Sequence, residues 1–79
     1  MSKNILQKNI RLSGEFDRYV SENSSVLRKI PKGASIVLTS VKDAELSEAN
    51  IAIARNSRSG RFIEARDMGG KWKIKPFVR

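Results

Sequence analysis

Phe62-Ile63-Glu64-Ala65-Arg66-Asp67-Met68-Gly69-Gly70-Lys71-Trp72-Lys73-Ile74-Lys75-Pro76-Phe77 is the stretch that decides the fold. Two adjacent glycines tolerate the positive φ that a two-residue primed turn demands at both central positions, and the flanking residues form two extended runs, Arg61 to Met68 and Lys71 to Val78. A two-residue turn pairs Met68 with Lys71. The ladder then runs back through Asp67 with Trp72, Arg66 with Lys73, Ala65 with Ile74, Glu64 with Lys75, Ile63 with Pro76 and Phe62 with Phe77. One face collects Ile63, Ala65, Trp72 and Ile74; the other collects Glu64, Arg66, Lys71, Lys73 and Lys75. Turn chemistry and binary pattern agree on one register, because a slip by one residue would exchange the two faces. Pro76 has no amide proton, which places the last strand at an edge or near its end.

Upstream of the hairpin, Asp43 is an N-cap for a helix with Glu45 and Glu48 in its first turns, where the helix dipole favours negative charge. Leu46, Ala49, Asn50 and Ile53 share a face of it, and Gly60 is its expected stop. Before that helix, Ser35-Ile36-Val37-Leu38-Thr39-Ser40 is a short β-rich run without alternation, the pattern of a strand covered on both faces and hence central in its sheet. Pro31-Lys32-Gly33 makes the turn into it. From Asn4 to Glu22, Ile5, Leu12, Phe16, Tyr19 and Val20 recur at helical spacing. Gly14 costs that helix up to ~1 kcal/mol relative to Ala, or lets another backbone come close. Asn23-Ser24-Ser25 ends the helix, and Ser24 opens one more short turn that carries Val26, Leu27 and Ile30 inward.

The predicted architecture is α+β: two helices and a short helical turn packed on a three-stranded sheet, in the order α-α-β-α-β-β, closed by the C-terminal β-hairpin. Residues 1–79 form a single small domain of 8.9 kDa. A chain of this size buries only ~60% of its unfolded surface, so a homodimer is a live expectation. Cys and His are both absent, which excludes disulfides, thiolate nucleophiles, Cys/His zinc sites and an imidazole base. The acidic residues lack metal-ligand spacing, and neither cofactor nor metal is expected. No apolar run reaches the length of a signal sequence or a membrane span, which points to a cytoplasmic protein.

Net charge is +8, and its distribution is uneven: residues 1–50 contribute +2 and residues 51–79 contribute +6. A local positive field attracts polyanions. Alternate residues of a strand point the same way, so Lys71, Lys73 and Lys75 form a row spaced ~6.5–7 Å apart. Arg66, Arg61 and Arg79 extend the row, while Phe62 and Phe77 meet at one end of the same face, where exposed rings stack on bases. The competing structural role for the lysines is protection of a sheet edge, with the two Phe rings packed beneath the helices or into a dimer. Arg55-Asn56-Ser57-Arg58-Ser59-Gly60-Arg61 is a second, weaker anion site built on Arg55 and Arg58. Its competing role is a solvated helix terminus. Trp72 falls on the apolar face and reads as core.

The phrases Lys8-Asn9-Ile10-Arg11-Leu12, Glu15-Phe16-Asp17-Arg18-Tyr19-Val20-Ser21-Glu22-Asn23 and Lys29-Ile30-Pro31-Lys32-Gly33-Ala34, followed by an apolar strand, resemble a family of small uncharacterised prokaryotic proteins classed as a domain of unknown function. The resemblance spans about residues 8–41 and rests on a Glu-Phe-x-Arg-Tyr helix and a Lys-Ile-Pro turn. It implies a compact α+β domain that begins with a helix, and brings no activity, cofactor or catalytic residue. The functional expectation therefore comes from the hairpin. It is a non-enzymatic binding module whose basic face holds a polyanion, nucleic acid first. The alternatives are a protein-interaction module, either an antitoxin-like partner or a homodimer, and a small His-independent ribonuclease using Tyr19 with Lys73 or Arg66.

Overall fold

The computed structural model describes residues 3–57 and 60–77. Helix α1 spans Lys3–Glu22 and is followed by a 3-10 helix at Ser24–Lys29, strand β1 at Ser35–Ser40, helix α2 at Ala44–Asn56, and strands β2 at Phe62–Asp67 and β3 at Trp72–Pro76. This is the expected order of elements. The hairpin has the register read from the sequence: Asp67 faces Trp72, Arg66 faces Lys73, Ala65 faces Ile74, Glu64 faces Lys75 and Ile63 faces Pro76. Gly69 and Gly70 hold φ of +90° and +105°, a region in which a side chain is strained, and the Met68 N–H closes the turn on the Lys71 carbonyl at 2.7 Å. Asp67 Oδ1 accepts from the Gly69 and Gly70 amides at 2.9 and 3.3 Å, which braces the turn from the last residue of β2.

The strand order β1-β2-β3 corrects the expectation that β1 is central. Strand β2 occupies the middle, parallel to β1 and antiparallel to β3. Within the apolar run of β1, Val37 is buried and Leu38 half-buried while Ile36 is exposed, and α2 closes the C-terminal part of its free edge. Ser40 N–H donates to Ser47 Oγ at 2.9 Å, and that hydroxyl lies 3.0 Å from the Ser40 carbonyl and 2.9 Å from the Asp43 carbonyl. Asn50 Nδ2 donates to the Leu38 carbonyl at 2.8 Å. Polar side chains of a helix thus take the place of a neighbouring strand, one of the ways a sheet edge is kept from pairing with another chain.

Asp43 caps α2 as expected, its Oδ1 accepting from the Leu46 amide at 3.1 Å. Lys8 of α1 reaches the same carboxylate at 2.9 Å. Asn9 and Asn50 bond reciprocally, at 3.0 and 2.7 Å, so both amide protons of Asn50 are used and α1, α2 and β1 are tied at one point. Ile5, Leu12 and Leu46 form the core cluster, with Leu38, Ala49 and Trp72 against it. The Phe16 ring meets Trp72 at 5.0 Å and 59°. Trp72 is therefore a packing residue, half-buried, on the face the sequence assigned to it.

Three local expectations are corrected. Leu27 is 55% exposed, because a 3-10 turn advances 120° per residue and sends only Val26 inward, and Ser24 lies inside that turn, Asn23 preceding it with no side-chain hydrogen bond to the turn's amides. Ile53 is 54% exposed, and Ser47 and Ala54 are buried in its stead because α2 lies along the β1 edge. Helix α2 ends at Asn56 with Ser57 as its cap, so Gly60, at φ +99°, is not its stop. The edge closure has a direct test. Ser47→Ala leaves the buried Ser40 amide without its partner and is expected to cost about 1–3 kcal/mol in urea unfolding, with an unchanged m-value.

Candidate nucleic-acid interface

The hairpin face opposite α1 carries the cationic side chains. Lys71 is exposed just before β3 and Lys73 and Lys75 along it, and Arg66 and Glu64 lie across from Lys73 and Lys75 on β2. Glu64 is only 5% exposed, and this buried carboxylate organises the face. Its Oε2 accepts from Thr39 Oγ1 of β1 at 2.6 Å and from Arg66 Nε at 3.1 Å, while Lys75 Nζ stands 3.8 Å from Oε1. Thr39 is itself fully buried. Burial pushes the Glu64 pKa up, but the Thr39 and Arg66 hydrogen bonds and the Lys75 and Arg66 charges outweigh it and hold the group below its ordinary 4.5. Glu64 is ionised at neutral pH and engages Arg66 and Lys75. Lys71 and Lys73 make no ion pair among the described residues.

Sequence reading placed Glu64 on this face but gave it no role. The signal was the Glu64–Lys75 cross-strand pair, an opposite-charge pair in the predicted register. Thr39 had no signal, since its approach depends on the parallel pairing that sets Val37 beside Glu64 and Thr39 beside Arg66.

Phe62 and Phe77 come together as expected. Their rings are 6.4 Å apart at 70°, both are half-buried, and the Phe77 amide donates to the Phe62 carbonyl at 3.1 Å. Arg61 is exposed just before β2, its carbonyl accepting from the Ser35 amide at 2.9 Å. Arg55 is not brought to this face: it is exposed at the end of α2, in a shallow cleft with Glu48, Ile51, Ala52 and Asn56. Arg58 and Arg79 lie outside the described residues. Tyr19 lines a cleft with Trp72 on the apolar side of the hairpin, so the structure does not join it to Arg66 or Lys73.

The profile described as "Family of unknown function (DUF5647)" matches residues 4–62. The chain belongs to that family. The match is longer than the stretch quoted for the resemblance, running from α1 through both helices and β1 to the first residue of β2. It stops before the Glu64 carboxylate and the hairpin lysines. No curated protein and no solved structure matches the chain. Among the described residues no helix is long and apolar enough to cross a membrane.

Because the folded-state pKa of Glu64 lies below its unfolded value, the ionised group stabilises the fold fully above about pH 4.5, and that contribution is lost as pH falls through the lower folded value. Glu64→Gln is expected to cost about 1.5–3 kcal/mol at pH 7. The gap between variant and wild type in urea midpoints should close on acidification below pH 4.5 and stay constant from pH 6 to 8.

Proposed function

We propose that the outward face of the β2–β3 hairpin is a binding surface for single-stranded nucleic acid, with no chemical step. The observation that carries this reading is the division of labour among the cations: Arg66 and Lys75 are held by Glu64, and Lys71 and Lys73 project beside them with no carboxylate partner among the described residues. A buried anion that bonds Arg66 and draws Lys75 beside it leaves Lys71 and Lys73 to meet phosphates, and their alternate spacing along the chain suits an extended backbone. Arg61 extends the charged surface, and the half-exposed rings of Phe62 and Phe77 offer faces and edges to unstacked bases. Neither metal nor cofactor enters the reading. It places the protein in the cytoplasm, where single-stranded RNA is available.

Fluorescence anisotropy with a dye-labelled oligonucleotide tests it across a salt series. The wild-type chain should bind with affinity falling steeply as salt rises, and the double variant Lys71→Gln, Lys73→Gln should flatten the log–log slope by about 1.4, from ~0.7 per single-strand phosphate contact. Absence of binding at low salt, or an unchanged slope in the double variant, would overturn the proposal.

A further inference from the structure

We propose that two copies of this chain associate across a two-fold axis through the outer face of α1. Two large apolar side chains stand exposed at the middle of that face with no packing partner among the described residues: Leu6 is 53% and Ile10 67% exposed, the latter the most exposed large apolar side chain described. Lys3, Leu6, Ile10, Ser13 and Asp17 are spaced alternately by three and four residues, the heptad rhythm of a helix that packs lengthwise against another helix. All five are exposed, as are Gln7 and Gly14 beside them.

The strip is complementary to itself. An axis passing by Ile10, with the helices antiparallel, sets Lys3 of one copy opposite Asp17 of the other, Leu6 opposite Gly14, Gln7 opposite Ser13, and the two Ile10 side chains together. The end charges are opposite in sign and occur twice, once at each end of a seam ~21 Å long. Each leucine meets a glycine, which admits close approach. Gly14 faces open space among the described residues, since a methyl group built there would meet no atom within 4 Å, although a glycine inside a helix carries a cost. Along one flank the strip adjoins a cleft through Asn9 and Ser13, lined further by Ile36, Asn50, Ile53 and Phe62 and by no charged side chain. Two chains of net charge +8 meet with least repulsion across such a surface, and the hairpin lysines have no place on it. This inference rests on α1 and not on the hairpin lysines, and Phe62 of the flanking cleft is the one residue it shares with the proposed nucleic-acid surface.

Sedimentation equilibrium of the whole chain from micromolar to millimolar concentration is the test. The wild-type chain should dimerise reversibly, and Ile10→Glu, which sets two carboxylates face to face on the axis, should weaken association at least tenfold. Its far-UV spectrum and thermal midpoint at dilute concentration should not change. Asp17→Lys alone should also weaken association, and adding Lys3→Asp to that variant should restore it. A wild-type chain that stays monomeric throughout, a dimer indifferent to Ile10→Glu, or an Asp17→Lys defect that Lys3→Asp does not repair would overturn the proposal.

Discussion

One carboxylate touches all three strands of this sheet. Glu64 sits on the central strand, takes the Thr39 hydroxyl from β1 and stands beside the Lys75 ammonium of β3, with Arg66 of its own strand on the same oxygen as Thr39. Removing an ionised carboxylate from water costs several kcal/mol, and the cost is offset only where its oxygens find donors and charge of opposite sign. That condition orders the cationic face: Arg66 is hydrogen-bonded to the carboxylate and Lys75 stands beside it, and the remaining lysines differ from them in having no carboxylate partner among the described residues.

The two outer strands of the sheet are protected by different means. Strand β1 hands the Leu38 carbonyl to Asn50 and the Ser40 amide and carbonyl to Ser47 of α2, so the C-terminal part of its edge is met by the helix that connects it to β2. Strand β3 keeps an open edge, guarded by three lysines and by Pro76, both residue types that discourage a further strand. Edge protection and ligand binding are compatible roles for the same ammonium groups. Lys75 shows the protective role supplemented by a structural one, since its charge also serves the buried carboxylate.

The hairpin was legible in the sequence because two independent signals coincide there: adjacent glycines at the turn, and an apolar and charged alternation that permits one register only. The Asp43 cap and the C-terminal limit of α1 were legible for the same reason, local chemistry at fixed offsets. The position of β1 was not. Its unbroken apolar run is equally produced by a central strand and by an edge strand met by a helix, and of the two residues that meet it only Asn50 lies on the face of α2 that the sequence turns inward, while Ser47 looks like ordinary surface until the helix is laid against the strand. The burial of Glu64 was hidden too, since its covering hydroxyl lies 25 positions away on a strand whose pairing the sequence does not specify. The cationic row and the paired phenylalanines were foreseen, and the carboxylate that divides the row into engaged and available members was not.

Carbon-13 NMR titration of the Glu64 side-chain carboxyl tests this account most directly. The carboxyl should titrate below the ordinary 4.5 and shift upward when Thr39 is replaced by Val, because the donors that outweigh burial would be depleted. A midpoint at or above 4.5 in the wild-type chain would mean that burial prevails, and that Glu64 neither ties the strands together nor holds Arg66 and Lys75 in place.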